Sequence, residues 1–330
     1  MNKLLKSISL VIFAIALLVF AIRFTNKDSN SDIAYQKAFS NNYKIFSIQL
    51  PEKLSFCDEE VPMDLYYVRE AIDRELLTNT YWQSNLILFI KRSYRYFPII
   101  EPILKKEGIP DDFKYLALIE SSLINAISPV GATGFWQFMK PTALMYGLEI
   151  NKEIDERYNI EKSTEAACKY LKASYNIHKS WTNAAAAYNM GDAGVKSQMI
   201  KQKQTNYWQL LLNSETERYV PRILAAKIIL EAPVKYGVYI RIKDLYQPIP
   251  TRNITIDSSI KNLADFAIEQ KITYKILKDF NPWLRDNSLT NPFKKSYKIK
   301  LPIEGYTSYL RQLSDVFDDY KLYNDTLKIE

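Results

Sequence analysis

Apolar residues recur at helical spacing from Pro62 onward, and this periodicity constrains the fold more than any other feature of the chain. No comparable strand pattern interrupts residues 62–230. Pro98 and Pro110 indicate breaks between successive helices, because proline lacks the N–H that a helix interior needs. The sequence therefore predicts a mainly α-helical domain. Its first two stripes are Leu65, Val68, Ala71, Ile72 and Leu76, then Leu86, Phe89, Ile90, Tyr94 and Phe97.

The pattern changes after about residue 240. Alternating residues at 254–257 and 297–302 predict two strands, and the segments 261–270 and 273–280 between them have helical spacing. The order strand, helix, helix, strand predicts a small α/β module at the carboxyl end.

The amino terminus carries an export or anchor signal. Two lysines precede an uninterrupted apolar run from Leu10 to Ile22, which is short for a spanning helix and fits a signal-peptide core. We predict an uncleaved anchor with its amino end in the cytoplasm, and a cleaved signal peptide is the alternative. In either case residues 30–330 lie beyond the cytoplasmic membrane. The predicted division is 1–23 for this signal, 24–60 for a tether and short extended segment, 61–235 for the helical domain and 236–330 for the module.

Charge and metal-binding residues exclude several classes of function. The chain has 44 basic and 37 acidic residues, and its net charge of +7 is spread without the aromatic and basic motifs of a nucleic-acid reader. With one histidine, His178, and two cysteines, Cys57 and Cys168, no metal-ligand spacing exists. We predict no nucleic-acid partner, no metal and no organic cofactor. We interpret His178 as a surface or packing residue and the cysteines as small apolar residues rather than a disulfide.

Glycine is scarce, with 8 in 330 residues, yet five glycines fall between positions 131 and 194. Such clustering implies backbone conformations that other residues cannot adopt, or backbone that must approach a ligand closely. We therefore expect the functional site in this region.

Glu120, just before the glycine cluster, stands on the apolar face of a predicted helix. Phe113, Leu116 and Ala117 precede it at helical spacing, after Pro110. Removal of a carboxylate from water raises its pKa, and a glutamate becomes a general acid near neutral pH in this way. The alternative is a capping or ion-pair role.

Two further motifs occur later in the chain. Four alanines at 184–187 allow a helix to pack closely against its neighbours, and Gly191 suits a left-handed residue at its end, which places Tyr188 and Asn189 there. Ser214 and Glu217 fit a capping box that opens another helix, whose amino terminus also favours the carboxylate of Glu215. A site role for this second segment is compatible with the capping role.

Four motifs thus follow one another in the chain: Glu120-Ser121, Ser128-Pro129-x-Gly131-Ala132-x-Gly134-x-x-Gln137, Ala187-Tyr188-Asn189-x-Gly191 and Glu215-Thr216-x-x-Tyr219-Val220. Together they resemble the lytic transglycosylases of the soluble-lytic-transglycosylase superfamily, which is related to goose-type lysozyme. The layout is most similar to the membrane-bound type D enzymes, and the likeness covers about residues 60–230.

The resemblance implies a lysozyme-like, all-helical fold that cleaves the β-1,4 bond between N-acetylmuramic acid and N-acetylglucosamine in peptidoglycan. The muramic 6-hydroxyl attacks the anomeric carbon and leaves a 1,6-anhydro end. Glu120 is implied to protonate the leaving oxygen and then to accept the 6-hydroxyl proton. Trp136 fits packing and sugar stacking equally well. The implied substrate-binding residues are Ser128, Gln137, Tyr188, Asn189, Glu215 and Tyr219.

The acidic residues fit this chemistry independently. Ordinary glycosidases use two carboxyl groups, ~5 Å or ~6.5–9.5 Å apart. Near the motifs the other carboxylates are Asp155, Glu156 and Glu215, and none has the sequence context of a second catalytic acid. A substrate hydroxyl at high effective concentration removes the need for one. Two alternatives stay open: a hydrolytic muramidase on the same fold, and a non-catalytic wall-binding protein.

The carboxyl-terminal module, with its segments 263–267 and 277–283, resembles a degenerate LysM glycan-binding unit. A plain stabilising module without a ligand is the alternative. The expected location is the cell envelope, either on the periplasmic side of the inner membrane or secreted to the periplasm. The expected partners are peptidoglycan glycan strands and, through the amino-terminal apolar segment, the membrane.

Overall fold

Helices make up most of the chain that the computed structural model describes, which is residues 32–39, 47–316 and 321–324. The described residues from Ile48 onward form one compact unit, and the helix at 32–39 lies in another. The helices are α1 (32–39), α2 (Tyr66–Tyr81), α3 (Gln83–Lys106), α4 (Phe113–Ser121), α5 (Lys140–Met145), α6 (Ile160–His178), α7 (Trp181–Met190), α8 (Asp192–Gln202), α9 (Ser214–Glu217), α10 (Tyr219–Glu231), α11 (Leu263–Glu269), α12 (Tyr274–Phe280) and α13 (Tyr309–Ser314).

Strands are few among the described residues. β1 (Ser55–Phe56) and β2 (Glu59–Glu60) form a short antiparallel hairpin. β3 (Thr251–Ile256) pairs with β4 (Tyr297–Pro302), also antiparallel, with Ile254 opposite Ile299. Because α11 and α12 lie between β3 and β4 in the chain, the predicted order of strand, helix, helix and strand is confirmed.

Pro98 does not end a helix, and that prediction was wrong. α3 continues through Pro98 and Pro102. A proline inside a helix costs ~3 kcal/mol or more. α3 offsets this cost by packing, since Ile100 and Leu104 are fully buried and a fully buried side chain of this size contributes ~1.5–3 kcal/mol. Pro110 does separate α3 from α4, as predicted.

The centre of the helical part is α10, in which ten of 13 residues are buried. It contacts α2, α4 and α7. A helix that is apolar over most of its surface belongs in a core. The alanines at 184–187 in α7 are all buried as well, which allows α7 to approach α6, α8 and α10 closely.

Glu59 fastens the β1–β2 hairpin to the start of α7. Its carboxylate accepts hydrogen bonds from the backbone N–H groups of Trp181 at 2.6 Å and Thr182 at 2.9 Å. It also accepts from the hydroxyls of Ser180 at 2.8 Å and Thr182 at 2.6 Å. The first N–H groups of a helix lack partners inside the helix and carry partial positive charge, so a carboxylate there stabilises the helix. Glu59 was not among the predicted functional or structural residues.

The cysteines and the histidine are structural. Cys57 and Cys168 are buried and not disulfide-bonded, and burial raises the pKa of the Cys168 thiol to about 12. The imidazole of His178 is buried too, with Nε2 3.0 Å from Asp192 Oδ1. These positions agree with the predicted packing roles.

Within residues 32–39, 47–316 and 321–324, no helix combines the length and the apolar character needed to cross a membrane. The predicted anchor at 1–23 lies outside the described residues, as do parts of the predicted tether and extended segment. Inside the tether, residues 32–39 are helical. The alanines, glutamine and lysine of this stretch favour a helix.

Candidate active site

Glu120 lies in the last turn of α4, at the edge of the helical core. α4 buries Phe113, Leu116 and Ala117, which share the predicted face with Glu120. The helix ends because Ser122 adopts a left-handed conformation with φ of 56°. The Ser122 N–H donates to the carbonyl oxygen of Leu118 at 2.8 Å. The chain therefore turns away from the helix directly after the glutamate.

Tyr219, the first residue of α10, holds the Glu120 carboxyl group. Its hydroxyl donates a hydrogen bond to Glu120 Oε1, and its side chain is buried. Burial raises the pKa of Glu120; the Tyr219 hydrogen bond and the Arg222 guanidinium oppose the rise, and the charge of Glu215 adds to it. The net shift is upward. Glu120 therefore keeps its proton to higher pH than an exposed glutamate, as the sequence predicted.

The segment after Glu120, residues 122–139, forms a loop that we call the cleft loop. Thr133 and Phe138 hold it together, because each backbone N–H donates to the other's carbonyl oxygen at 3.1 Å. Gly134 has φ of 83°, and a Cβ there would lie 2.0 Å from the carbonyl oxygen of Arg157. Only glycine permits this close approach. The clustered glycines therefore have a structural explanation at this position.

Ser121 joins the cleft loop to α4. Its buried hydroxyl donates to the carbonyl oxygen of Phe135 at 2.9 Å. The loop is thus attached one residue away from Glu120. The serine of the Glu120-Ser121 motif therefore has a structural role that depends on a residue 14 positions away.

Ser128 and Gln137, two of the predicted substrate-binding residues, lie in the cleft loop. Ser128 Oγ accepts the Ala132 N–H at 3.0 Å, and Gln137 Nε2 donates to the Gly134 carbonyl oxygen at 2.8 Å. Both side chains therefore support the loop itself. Their contact with substrate stays a prediction.

Tyr188, near the end of α7, contacts the cleft loop from the other side. Its hydroxyl donates to the carbonyl oxygen of Trp136 at 2.8 Å. Burial, and after it the charge of Glu120, raise the pKa of Tyr188. Trp136 is fully buried, and its Nε1 donates to Thr164 Oγ1 at 2.8 Å. Of the two roles left open for Trp136, the structure favours packing.

Asn189 and Glu215 are brought together from α7 and α9. Asn189 Nδ2 donates to Glu215 Oε1 at 3.0 Å, and Thr216 Oγ1 donates to Asn189 Oδ1 at 2.7 Å. Asn189 is partly buried, whereas Glu215 is exposed. Of these predicted residues, Tyr219 contacts Glu120 directly, while Tyr188 and Glu215 interact with it electrostatically.

Two details of these helix ends differ from the predictions. The N-cap of α9 is Asn213 rather than Ser214: Asn213 Oδ1 accepts the N–H groups of Glu215 and Thr216, each at 3.0 Å. Asparagine and serine are similarly good N-caps, so the sequence alone could not separate them. Gly191 has φ of 81° but ψ of 149°, which is outside the left-handed helical region that we expected.

A cleft of about 350 Å³ is lined by residues of α2, α3, α4, α9 and α10. Glu215 and Arg222 are on its wall, and Trp82, 59% exposed, stands at the junction of α2 and α3. Arg218 Nε is 2.7 Å from the buried carboxylate of Glu75. Trp82, Glu75 and Arg218 were not among the predicted site residues, although a tryptophan between two helical stripes was a usable signal. The other lining residues are Thr78, Asn79, Asn85, Phe89, Ile119 and Ser214.

The other candidate carboxylates have partners of their own. Asp155 binds the Arg157 guanidinium through contacts of 3.0 and 2.7 Å. Glu156 Oε2 accepts the backbone N–H of Glu149 at 2.8 Å. In the part of the chain that the structure describes, no group of three or more histidine, cysteine, aspartate or glutamate residues is arranged to hold a metal ion.

Two domain families match this chain. The family model for the transglycosylase SLT domain matches residues 97–211, which include Glu120, the cleft loop and α7. The family model for the soluble lytic transglycosylase C-terminal LysM-like domain matches residues 252–305, which include β3, α11, α12 and β4. Glu215 and Tyr219 lie just beyond the first match.

Two curated relatives carry the same name. Membrane-bound lytic murein transglycosylase D of Escherichia coli strain K12 is 29% identical over 228 residues, which cover 67% of this chain and 49% of that protein. The protein of the same name from Escherichia coli O6:H1 strain CFT073 gives the same values. The chain thus spans about half the length of these relatives. Residues 97–211 are a lysozyme-like transglycosylase SLT domain, followed at residues 252–305 by a LysM-like domain, as the sequence predicted.

Proposed function

We propose that this protein is a peptidoglycan lytic transglycosylase with Glu120 as its sole general acid and base. The observation that carries the proposal is the half-buried Glu120 carboxyl with its raised pKa, in hydrogen-bond contact with Tyr219. The SLT domain match and the similarity to lytic murein transglycosylase D support it. The substrate is the β-1,4 bond between N-acetylmuramic acid and N-acetylglucosamine.

In the first step Glu120 donates its proton to the glycosidic oxygen, and the bond from this oxygen to the muramic anomeric carbon breaks. Because Tyr219 donates to Oε1, Oε2 is the oxygen that delivers the proton. A raised pKa favours this step, since the acid must enter it protonated.

In the second step the muramic 6-hydroxyl oxygen bonds to the same anomeric carbon. Its proton passes to the Glu120 carboxylate, so the acid is restored and a 1,6-anhydro ring closes. Tyr219 and Arg222 favour the carboxylate form of Glu120 between the steps, because both lower its pKa. One carboxyl group therefore suffices for the whole cycle.

The glycan strand would bind across the surfaces around Glu120. We propose Ser128, Gln137, Tyr188, Asn189, Glu215 and Tyr219 as the substrate-binding residues. We also propose that the cleft beside Trp82 holds part of the strand, because exposed aromatic rings pack against the apolar faces of sugars and its polar side chains can bind hydroxyl groups.

A hydrolytic muramidase is the second candidate, and the position of Glu215 favours it. This carboxylate is near enough to Glu120 to raise its pKa, so it could activate a water molecule. A non-catalytic wall-binding protein is the third candidate. This candidate gives no functional reason for the raised pKa of Glu120.

Digestion of purified peptidoglycan separates these candidates. Mass spectrometry of the products should show fragments one water lighter than hydrolytic products, without a reducing end. Fragments with reducing ends would identify a muramidase. Glu120→Gln should abolish product formation, and unchanged digestion by this variant would overturn the assignment of the acid.

The location and the division of the chain complete the proposal. We place the protein at the cell envelope, on the periplasmic side of the inner membrane, with residues 1–23 as an anchor or a cleaved signal and 24–60 as the tether. The proposed boundaries are 61–235 for the transglycosylase domain and 236–330 for the module, whose LysM-like part would bind glycan strands. Membrane-bound relatives and the envelope substrate support this location.

A further inference from the structure

One short segment of the helical part, residues 149–158, connects the LysM-like module to the cleft loop. We call it the bridging segment. It follows α5 and ends just before α6. Its contacts on the two sides show how the module reaches the neighbourhood of Glu120.

On the module side the bridging segment is paired with the chain after α12. Ile154 forms an antiparallel bridge with Leu284, and the Asp155 N–H donates to the Trp283 carbonyl oxygen at 2.9 Å. The Arg285 N–H donates to the Glu153 carbonyl oxygen at 2.7 Å. These backbone bonds extend the module by a strand-like segment from the catalytic part.

Side chains strengthen this pairing. Ile154 and Tyr158 are buried in the hydrophobic cluster of the module, and the Arg285 guanidinium lies 4.2 Å from the centre of the Tyr158 ring. The Glu153 carboxylate accepts from Ser288 Oγ at 2.9 Å and from the Thr290 N–H at 2.6 Å. The bridging segment is therefore part of the module's core.

On the cleft side the connection is made by Arg157. Asp155 holds its guanidinium through two oxygens, and the remaining nitrogen, Nη1, donates to the carbonyl oxygens of Gly131 and Phe138, each at 3.2 Å. The Arg157 carbonyl oxygen fills the space where a side chain at Gly134 would be. One residue thus contacts the cleft loop at three points.

We infer that Arg157 is a positioning residue, and that the LysM-like module holds the cleft loop in place through the bridging segment. The loop is bound to Ser121 beside Glu120 and to Tyr188. Loss of the Arg157 hydrogen bonds would therefore shift the cleft loop, which forms one wall of the proposed active site, without a direct change at Glu120. The module would serve catalysis as well as any glycan binding of its own. The effect on activity rests on the proposed function, whereas the effect on the loop does not.

Hydrogen exchange of the intact protein tests the inference. Arg157→Lys keeps the charge and removes the fork that reaches both Asp155 and the loop. Glu153→Gln weakens the hydrogen bonds from the bridging segment to Ser288 and Thr290 of the module, which lie outside the cleft loop. The matched control is Lys300→Gln, because Lys300 joins the module to Glu161 of α6 and not to Arg157.

Exchange of the amides of Thr133 and Phe138 should become about tenfold faster in Arg157→Lys and several-fold faster in Glu153→Gln, since fixed charged hydrogen bonds protect the loop from local opening. Exchange in α10 should not change, and the control should match wild type. With a soluble glycan fragment as substrate, kcat should fall most in Arg157→Lys and less in Glu153→Gln, while KM changes little in both.

Unchanged loop exchange in both Arg157→Lys and Glu153→Gln would overturn the inference, as would an equal increase in Lys300→Gln. If Arg157→Lys does not fold, Glu153→Gln alone decides between these outcomes. If the wild-type protein does not cleave glycan, the proposed function fails, and the exchange rates still decide whether the module holds the loop.

Discussion

Tyr219 and Glu120 are 99 positions apart in the chain, yet the tyrosine hydroxyl donates directly to the glutamate carboxyl. The first residue of α10 therefore influences the pKa of a carboxyl group in the last turn of α4. Burial raises the pKa of Glu120, and this hydrogen bond moderates the rise. The balance of the two effects determines the pH range in which Glu120 is protonated.

Removal of the hydroxyl in Tyr219→Phe should raise the pKa of Glu120 further, because a contact that favours the carboxylate is lost. The alkaline limb of the pH–activity profile should shift to higher pH, and kcat should fall because the carboxyl is less well oriented. Tyr115→Phe is the matched control, since Tyr115 bonds to Glu231 on α10. An alkaline limb at the wild-type position would contradict the proposed coupling.

Glu120→Gln should be inactive but more stable than wild type at neutral pH. Below the ordinary pKa of 4.5, both folded and unfolded wild-type protein hold the proton, so pH has little effect. Above it, the unfolded state releases the proton first, and the free energy of unfolding of the wild type falls with rising pH until the folded carboxyl also ionises. Urea denaturation of both proteins at pH 4 and pH 8 measures the difference, which should grow with pH.

Gly134→Ala should destabilise the protein more than Gly131→Ala. Both glycines have positive φ, of 83° and 88°, so each alanine carries the same backbone strain of ~1–3 kcal/mol. Only at Gly134 does the new Cβ meet the Arg157 carbonyl oxygen, whereas at Gly131 no atom lies within 4 Å. Thermal unfolding and activity assays of the two variants measure the separate effect of the clash between the new Cβ and the Arg157 carbonyl oxygen. Equal losses would show that backbone conformation alone explains both glycines.

Trp82→Ala should raise KM for peptidoglycan fragments and leave kcat nearly unchanged, because the side chain is proposed to bind the strand away from the reacting atoms. Stability should change by less than about 0.5 kcal/mol, as is usual for exposed positions. Tyr309→Ala, an exposed aromatic outside the cleft, serves as the control. An unchanged KM for Trp82→Ala would remove this cleft from the binding surface.

Glu59→Gln should lower the free energy of unfolding by about 1–3 kcal/mol, because charged hydrogen bonds to the start of α7 are replaced by weaker ones and one oxygen is lost. Glu60→Gln, at the exposed neighbouring position, should have little effect. Chemical denaturation measures both. Equal values for the two variants would show that Glu59 does not stabilise α7.

The helical pattern predicted most of the fold, and the motif spacing identified Glu120 as a candidate site residue. Both features depend on residues that are close together in the chain. Pro98 was misread because burial of Ile100 and Leu104 overrides a local rule. Asn213 was missed because serine and asparagine cap helices equally well. The Asn213 error arises where two local preferences are close in energy, and the Pro98 error arises where tertiary packing overrides a local preference.

The remaining site residues could not be predicted for a different reason. Arg157 and Glu75 act through partners that are distant in sequence, Gly131 for Arg157 and Arg218 for Glu75. No periodicity or spacing links such pairs. Tyr219 was found only through the resemblance of its motif, since its contact with Glu120 joins two different helices.

The almost complete burial of α10 has a consequence for how this protein could adapt to new substrates. Tyr219 and Arg222 extend from a helix in which ten of 13 residues are buried, so changes there would disturb the core as well as Glu120. The cleft loop has exposed side chains at Ile127 and Val130, which can vary at little cost in stability. Changes in specificity should therefore be concentrated in the cleft loop, with the surroundings of Tyr219 and Arg222 kept constant.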